Sequence, residues 1–250
     1  MPTLSNLYLF AYNSLQAFGW AVCLSRILSD FISTGTLTGA YASAGDLICL
    51  LQVSAFLEVI HGAIGLVPSG MLLPLMQWGG RTNVILVIVR QIEEAWGFCS
   101  SFNGIAAFCT ETNWNPIVLM ILQLQESPAV FITFTAWSLS EVIRYPHHAL
   151  NCIGKCPYWI VYLRYTAFTV LYPTGESAEM WIMYRALSYI KKKNLLADVL
   201  FPSFPFLYHN FLSVLLPTYP FLWLKLYLHL FKQRQSKLGK DHEQKKKKKK

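Results

Sequence analysis

Apolar residues of this chain are grouped in long continuous blocks. Each block is about as long as a helix that crosses a bilayer core, roughly 20 residues. The continuous pattern predicts helices, because strands of a membrane barrel alternate apolar and polar positions. We therefore predict an all-α protein, a polytopic integral membrane bundle of about six transmembrane helices. The blocks are 7–28, 46–67, 84–107 (broken by charges), 117–143, 158–187 and 204–231.

The composition favours a membrane-embedded body with a basic tail. Of the 250 residues, 54% are hydrophobic and 14% charged, against roughly 25% charged in soluble domains. The net charge is +8, but lysines 245–250 supply six of these charges and leave +2 for the rest. The body has no basic face, which argues against nucleic acid as a partner. We predict a transmembrane domain over 1–231 and a tail over 232–250, cytosolic because Lys and Arg favour that side.

The six cysteines are scattered, mostly within apolar blocks, where we expect small buried hydrophobic residues. Cys152 and Cys156 in "CIGKC" could suggest a metal site. No second cysteine pair accompanies them, and His147 and His148 are a weak supplement. We expect neither a metal nor a cofactor.

Ionisable residues inside the apolar blocks are candidates for function, because each costs about 2.5–3.5 kcal/mol at the centre of a membrane helix. Two pairs are three residues apart, Glu58 with His61 and Glu141 with Arg144. Within each pair, the two side chains could satisfy each other as packing contacts inside the bundle. A functional role is the alternative, and the spacing does not decide between them.

The segment "LYPTGESAEM" carries a tyrosine, a proline, a glycine and a glutamate in apolar surroundings. Pro173 predicts a helix start, because proline suits the first helical turn and biases Tyr172 away from helical geometry. On an unbroken helix, Tyr172 and Glu179 would share one face, about 10 Å apart. A phenol donor and a carboxylate form an acid–base pair that needs no metal. A Tyr-Pro turn with a glutamate at the membrane interface is the alternative.

Three segments carry the motifs of one enzyme family. "LRYTAFTVLYPTGESAEM" resembles R-Y-x₆-Y-P-x-G-x-x-x-E, and "WSLSEVIRY" is similar to W-x-x-x-E-[IV]-I-R-Y. "LEVIHGAIGLVPS" followed by "QWGGR" is similar to L-E-x-x-H-x-x-x-G-[IL]-V with a following Q-x-x-x-R. These motifs belong to the 3-hydroxyacyl-CoA dehydratases of fatty-acid elongation, once labelled protein tyrosine phosphatase-like, which include the plant PASTICCINO2 proteins.

The resemblance implies a site, a reaction and a location. Tyr172 and Glu179 match the family's catalytic pair. The family is integral to the endoplasmic reticulum membrane and converts (3R)-3-hydroxyacyl-CoA to trans-2-enoyl-CoA, the third step of each elongation cycle. Its partners are the condensing enzyme and the reductases of the elongation complex. The family's other motif positions fall on Glu58, Gln77, Arg81, Glu141, Arg144, Tyr145, Arg164 and Gly175.

For the chemistry, the resemblance leads us to expect Glu179 as the base at C2 and Tyr172 as donor to the departing hydroxyl, with the reverse assignment still open. Arg144, Arg164 or Arg81 could hold the phosphates of CoA, and the acyl chain would lie within the bundle. A catalytically weak scaffold of the elongation complex and a small-solute transporter are the alternatives. A phosphatase is excluded, because the chain has no Cys-x₅-Arg loop.

Three features depart from the family or extend beyond its motifs. His147 and His148 follow Arg-Tyr where relatives usually carry an aromatic residue, so we expect a changed turn there. Residues 93–125 resemble an insertion, because relatives cross this interval in far fewer residues. Lys247 and Lys248 occupy the positions of a K-K-x-x retrieval signal for the endoplasmic reticulum, and a basic tail resting on anionic membrane lipid fits equally well.

Overall fold

The computed structural model describes residues 4–68, 70–90, 124–193 and 205–247. Within these ranges the chain forms helices and the turns between them, with no strand, so the all-α prediction is confirmed. The helices are α1 Leu4–Thr34, α2 Ala40–Ser54, α3 Phe56–Ala63, α4 Leu72–Thr82, a π-helical segment Asn83–Arg90, α5 Pro128–Cys152, α6 Tyr158–Arg164, α7 Phe168–Lys193 and α8 Pro205–Lys247.

Four stretches of the described chain are long and apolar enough to cross a membrane: Leu4–Thr34, Ala40–Ala63, Leu72–Arg90 and His209–Ser236. Helices α5 and α7, with 25 and 26 residues, are also long enough to span the roughly 30 Å hydrocarbon core. Their sequences are more polar, because they carry the acidic side chains of the candidate site. Four apolar spans and two more polar long helices agree with a polytopic bundle of about six.

The distribution of side chains is that of a protein surrounded by lipid. Large apolar side chains point outward, with Leu15, Phe18 and Phe221 exposed by 71%, 69% and 74%. In contrast, Glu141 and Glu179 are buried inside the bundle, at 1% and 2% exposure. Apolar surface outside and ionisable groups inside are expected where the surrounding solvent is hydrocarbon.

Helix α5 is central, in contact with α1, α2, α6 and α7. It lies antiparallel to α1, with Tyr12 beside Tyr145 and Phe31 beside Phe131. Helix α8 packs antiparallel on α7. The C-terminal end of α5, the start of α7 and the C-terminal end of α8 therefore lie on the same side of the bundle.

The turns are shorter than the sequence predicts. Residues 29–46 are rich in Ser, Thr and Gly, a composition that predicts a surface loop. The loop is reduced to residues 35–39, because α1 continues to Thr34 and α2 begins at Ala40. The sequence predicts a turn at "RYPHHAL", residues 144–150. This prediction is wrong, because these residues are helical and α5 continues to Cys152. His147 is buried there and packs edge-on against Tyr165, with ring centroids 5.8 Å apart. This contact stabilises the last turns of α5, and the connection to α6 begins after Cys152.

The predicted insertion, 93–125, falls outside the described residues except for its last two. Leu124 is 3% exposed and belongs to the apolar core. The side-chain amide of Gln125 donates a hydrogen bond of 3.0 Å to the carbonyl of Val89. The two ends of the chain that flank the undescribed residues 91–123 are therefore close in space.

Candidate active site

A cavity of about 210 Å³ lies between α4, α5, α7 and α8. Its walls are apolar apart from a few ionisable and hydrogen-bonding side chains, an arrangement typical of small-molecule sites. It brings together residues that are up to 150 positions apart in the chain, from Met76 to Leu226. The polar and aromatic residues on its walls include Gln77, Arg81, Trp137, Tyr172, Glu176, Glu179, Tyr219 and Trp223.

Tyr172 and Glu179 both lie on α7, on the cavity wall. The helix begins at Phe168 and Pro173 lies inside it, so the expectation of a helix start at Pro173 is wrong. Proline has no N–H and leaves the carbonyl four residues earlier, that of Thr169, without its helical partner. The Tyr227 hydroxyl on α8 donates a hydrogen bond of 3.2 Å to that carbonyl. Tertiary contact therefore replaces the missing bond, and the helix remains continuous.

Glu179 is held by hydrogen bonds from two neighbouring helices. The indole Nε1–H of Trp137 on α5 donates to Oε1 at 2.6 Å, and the hydroxyl of Tyr219 on α8 donates to Oε2 at 2.5 Å. Both oxygens of the buried carboxyl group are thus fixed in direction. Two donated hydrogen bonds stabilise the ionised form of a carboxyl group.

Tyr172 is part of an aromatic wall. Its ring is nearly parallel to those of Trp223 and Tyr227, with centroid distances of 6.4 and 6.2 Å. Trp223 and Tyr227 stack on each other at 4.8 Å. This packing fixes the ring of Tyr172, whose hydroxyl makes no hydrogen bond to the part of the chain that the structure describes.

A chain of charged side chains lies next to the cavity and joins α3, α4 and α5. Arg81 donates to Glu141 at 2.5 Å, and Glu141 is also bound by Arg144 at 2.5 Å. Arg144 then forms a two-pronged ion pair with Glu58, at 2.6 and 3.0 Å. The Tyr145 hydroxyl donates to Glu58 at 2.5 Å. Two cations and two anions compensate each other, so the charges can be buried.

The charged network shows which of the two predicted pairs is in contact. Glu141 and Arg144 are in direct contact, which confirms that pair. The pairing of Glu58 with His61 is wrong, because Glu58 binds Arg144 while the His61 ring lies 2.9 Å from the Tyr8 hydroxyl.

The predicted site residues thus fall into three groups. Five line the cavity: Gln77, Arg81, Tyr172, Gly175 and Glu179. Four form the charged network with Arg81: Glu58, Glu141, Arg144 and Tyr145. Arg164, at the end of α6, belongs to neither group. Arg81 connects the first two groups, because it lines the cavity and also binds Glu141.

The three candidate arginines differ in their partners. Arg81 and Arg144 are each bound to carboxylates of the network. Arg164 is half-buried and forms no ion pair with the described residues, although it lies within electrostatic range of Arg144 and Tyr172. Of the three, Arg164 is the guanidinium whose charge remains available to an added anion.

Sequence reasoning missed Glu176, Trp137 and Tyr219. Trp137 precedes Glu141 by one helical turn, a spacing that could have placed it on the same face. Tyr219 stands between two prolines in an apolar block, which carries no signal about α7. Glu176 could have been found, because it lies between Tyr172 and Glu179 on the helical face they share.

The cysteines and histidines form no metal cluster in the described chain, where no three His, Cys, Asp or Glu side chains are grouped as ligands. Cys156 lies in the turn between α5 and α6, and burial raises the pKa of its thiol. A thiol of raised pKa is mostly protonated at neutral pH and is a poor metal ligand or nucleophile.

The fold and the site define a helical membrane protein with phenol and carboxyl groups in a cavity between its helices. The chain belongs to the protein tyrosine phosphatase-like family, PTPLA, which matches residues 52–240.

Curated relatives carry one enzyme name. Very-long-chain (3R)-3-hydroxyacyl-CoA dehydratase 2 of Mus musculus is 28% identical over 242 residues, covering 96% of this chain and 84% of its own. The Homo sapiens protein of the same name is 28% identical over 246 residues, with 97% and 85% covered. The dehydratase PASTICCINO 2A of Oryza sativa subsp. japonica is 33% identical over 187 residues, with 74% and 71% covered. No solved structure matches the chain significantly.

Proposed function

We propose that this chain is a very-long-chain (3R)-3-hydroxyacyl-CoA dehydratase, a hydro-lyase that forms trans-2-enoyl-CoA. One observation carries the proposal: Tyr172 and Glu179 line the same cavity from one face of α7. Elimination of water from a 3-hydroxyacyl thioester needs a base at C2 and a proton donor at the C3 hydroxyl, and a phenol and a carboxylate supply both. The names of the relatives agree with this chemistry.

Glu179 is the base in this mechanism. Its two hydrogen bonds, from Trp137 and Tyr219, favour the ionised carboxylate and hold it in one orientation. The carboxylate removes the C2 proton, which is acidified by the thioester carbonyl. Arg81, on the wall of the same cavity, supplies a fixed positive charge near the reacting atoms.

Tyr172 is the acid. Its hydroxyl has no described partner and is therefore able to bind the C3 hydroxyl of the substrate. As the C3–O bond breaks, the phenol proton passes to the departing oxygen and water leaves. The C2–H bonding electrons become the new C2–C3 double bond, so no oxidant, reductant or cofactor is consumed. Positioned acids and bases each contribute about 10²- to 10⁴-fold to the rate.

The size of the cavity and the position of Arg164 support an arrangement for the rest of the substrate. About 210 Å³ accommodates the reacting end of the thioester, whereas pockets that hold a whole drug-sized ligand measure roughly 300–1,000 Å³. The acyl chain must then extend between the helices. Arg164 lies eight residues before Tyr172, on the side of the bundle where α7 begins, and is the side chain available for a CoA phosphate.

The cellular setting follows from the same proposal. The enzyme acts in the endoplasmic reticulum membrane, in the third step of fatty-acid elongation, with the condensing enzyme and reductases of that cycle as partners. The basic C-terminal end of α8 lies on the side where α7 begins. With that end in the cytosol, as its lysines predict, Arg164 and the start of α7 lie on the cytosolic side of the bundle.

The proposal is tested by assaying membranes that contain the full chain. The (3R) and (3S) forms of a long-chain 3-hydroxyacyl-CoA are supplied separately, and enoyl-CoA is measured. We expect dehydration of the (3R) form above that of membranes without the protein, and little conversion of the (3S) form. A scaffold without catalysis would convert neither form above background, and that result would overturn the proposal.

A further inference from the structure

A second carboxyl group, that of Glu176, lies between the two residues of the proposed pair. It follows Tyr172 by four positions and precedes Glu179 by three on the continuous helix α7, so the three share one face. All three line the same cavity. In the family motif this position is one of the variable ones, so nothing in the resemblance assigns it a role.

The two carboxyl groups have different surroundings. Glu179 receives hydrogen bonds on both oxygens, from Trp137 and Tyr219. Oε2 of Glu176 is buried and accepts no hydrogen bond from the described residues. The Tyr219 hydroxyl also lies close to Glu176. Because its own proton is donated to Glu179, its oxygen is free to accept a bond from a protonated Glu176.

Two carboxylates one helical turn apart in an apolar cavity repel each other, so the pair favours a single negative charge. The hydrogen bonds determine which group carries it. Glu179, with two donors, is the ionised member, and Glu176 holds the proton. Arg81, which also lines the cavity and is paired with Glu141, lies within electrostatic range of Glu179 and favours its negative charge.

The proposed reaction leaves the site unable to repeat itself without a further proton transfer. After one elimination Glu179 has gained the C2 proton and Tyr172 has lost its phenol proton to the water formed. A tyrosinate is then present in low-dielectric surroundings, where a charged phenol is strongly disfavoured. The next turnover requires Glu179 to lose a proton and Tyr172 to gain one, at two positions about 10 Å apart along the helix axis.

We propose that Glu176 relays this proton and so resets the site after each turnover. The inference rests on the proposed function. Protonated Glu176 first gives its proton to the phenolate of Tyr172. The proton on Glu179 then passes to the carboxylate of Glu176, directly or through the Tyr219 hydroxyl. Each transfer breaks one O–H bond and forms another, and the cavity carries one negative charge throughout.

The test separates the first turnover from later ones. The full chain in detergent micelles is mixed with excess (3R)-3-hydroxyacyl-CoA, and enoyl-CoA is followed by rapid quench. In Glu176→Gln the amide keeps the shape of the side chain but cannot relay a proton. We expect a first turnover within about 3-fold of the wild type and a steady-state rate at least 10-fold lower, within the usual range for acid–base groups.

Two further variants distinguish the relay from a structural effect. Glu176→Asp keeps the carboxyl group, and we expect it to restore most of the steady-state rate. Ser177→Ala alters the next residue, whose exposed hydroxyl bonds, within the described part of the chain, only to the Pro173 carbonyl of its own helix at 2.7 Å. We expect it to behave as the wild type in both phases.

Two results would contradict the relay. An unchanged steady-state rate in Glu176→Gln would overturn the relay. A first turnover slowed as much as the later ones would also overturn it, because Glu176 would then act in the elimination or in the fold. If Glu176→Gln does not fold, Glu176→Leu, which also lacks the carboxyl group, replaces it: a slow steady state with a normal first turnover supports the relay, and equal slowing of both phases contradicts it. No product from the wild type would overturn the proposed function itself.

Discussion

The hydroxyl of Tyr219 on α8 donates a hydrogen bond of 2.5 Å to Oε2 of Glu179 on α7. The contact joins two helices across the cavity and connects the position of the carboxylate to a residue 40 positions later in the chain. The Tyr219 hydroxyl also lies close to a third helix, α4. A Cβ added to Gly80 of α4 would lie 3.1 Å from the Tyr219 hydroxyl oxygen, closer than side chains normally pack.

Replacing Tyr219 with phenylalanine removes this hydrogen bond and keeps the ring. A hydrogen bond to a charged group contributes about 1.5–3 kcal/mol, so we expect turnover to fall about ten- to a hundredfold with normal amounts of protein. Tyr162→Phe, at an exposed tyrosine outside the cavity, is the matched control. Equal activity of the Tyr219 variant and this control would mean that Tyr219 does not position Glu179.

The two neighbouring glycines of α4 provide a sharper comparison. Gly80→Ala should displace the Tyr219 hydroxyl and lower turnover, because the added methyl group meets it at 3.1 Å. Gly79→Ala adds the same methyl group to the same helix, where it meets no atom of the described residues within 4 Å. We expect a larger loss of turnover in the Gly80 variant, measured in the same membranes. A larger loss in the Gly79 variant would contradict the close approach of Gly80 to the Tyr219 hydroxyl.

The charged network should contribute to stability. Glu141→Gln removes the carboxylate shared by Arg81 and Arg144 and leaves buried positive charge uncompensated, which costs about 3–5 kcal/mol. Asp46→Asn is the control, because Asp46 is 83% exposed and its ion pair with Arg90 is long, at 4.0 Å. Denaturant titration in detergent measures both. A decrease in unfolding free energy no larger for Glu141→Gln than for the control would show that the network does not stabilise the bundle.

The segment that resembles an insertion should be dispensable. Its flanks are close together, since Gln125 bonds to the Val89 carbonyl at 3.0 Å. Leu124 packs in the core, so a deletion should end before it. We expect removal of 93–123 to leave dehydration intact, measured per amount of inserted protein. Loss of activity in a protein that is still inserted and abundant would make the segment part of the working enzyme.

The sequence predicts the membrane bundle and the candidate pair because both depend on local patterns. Apolar blocks predict long helices, and the seven-residue spacing of Tyr172 and Glu179 predicts a shared helical face. Tertiary contacts decide the rest. The sequence places a helix start at Pro173, but Tyr227 satisfies the carbonyl that proline frees, and the helix begins five residues earlier, at Phe168.

Partners of buried charges are equally hard to predict from spacing. Glu58 and His61 are one turn apart, yet Arg144, which follows Glu58 by 86 positions, binds the carboxylate instead. A guanidinium forms two hydrogen bonds with a carboxylate, whereas an imidazole can form only one. The position of Tyr219 beside Glu179 follows from how α8 packs on α7, and no motif in the sequence reports that packing.

Conservative replacement of Tyr172 and Glu179 tests whether these two residues carry out the elimination. Tyr172→Phe removes the donor hydroxyl and keeps the stacked ring, and Glu179→Gln keeps the shape and removes the base. Dehydration of a long-chain (3R)-3-hydroxyacyl-CoA is measured in membranes with equal amounts of each variant. We predict that each substitution lowers turnover at least 10²-fold, the usual scale for acid–base groups. Near-normal turnover in either variant would show that the replaced residue takes no part in the elimination.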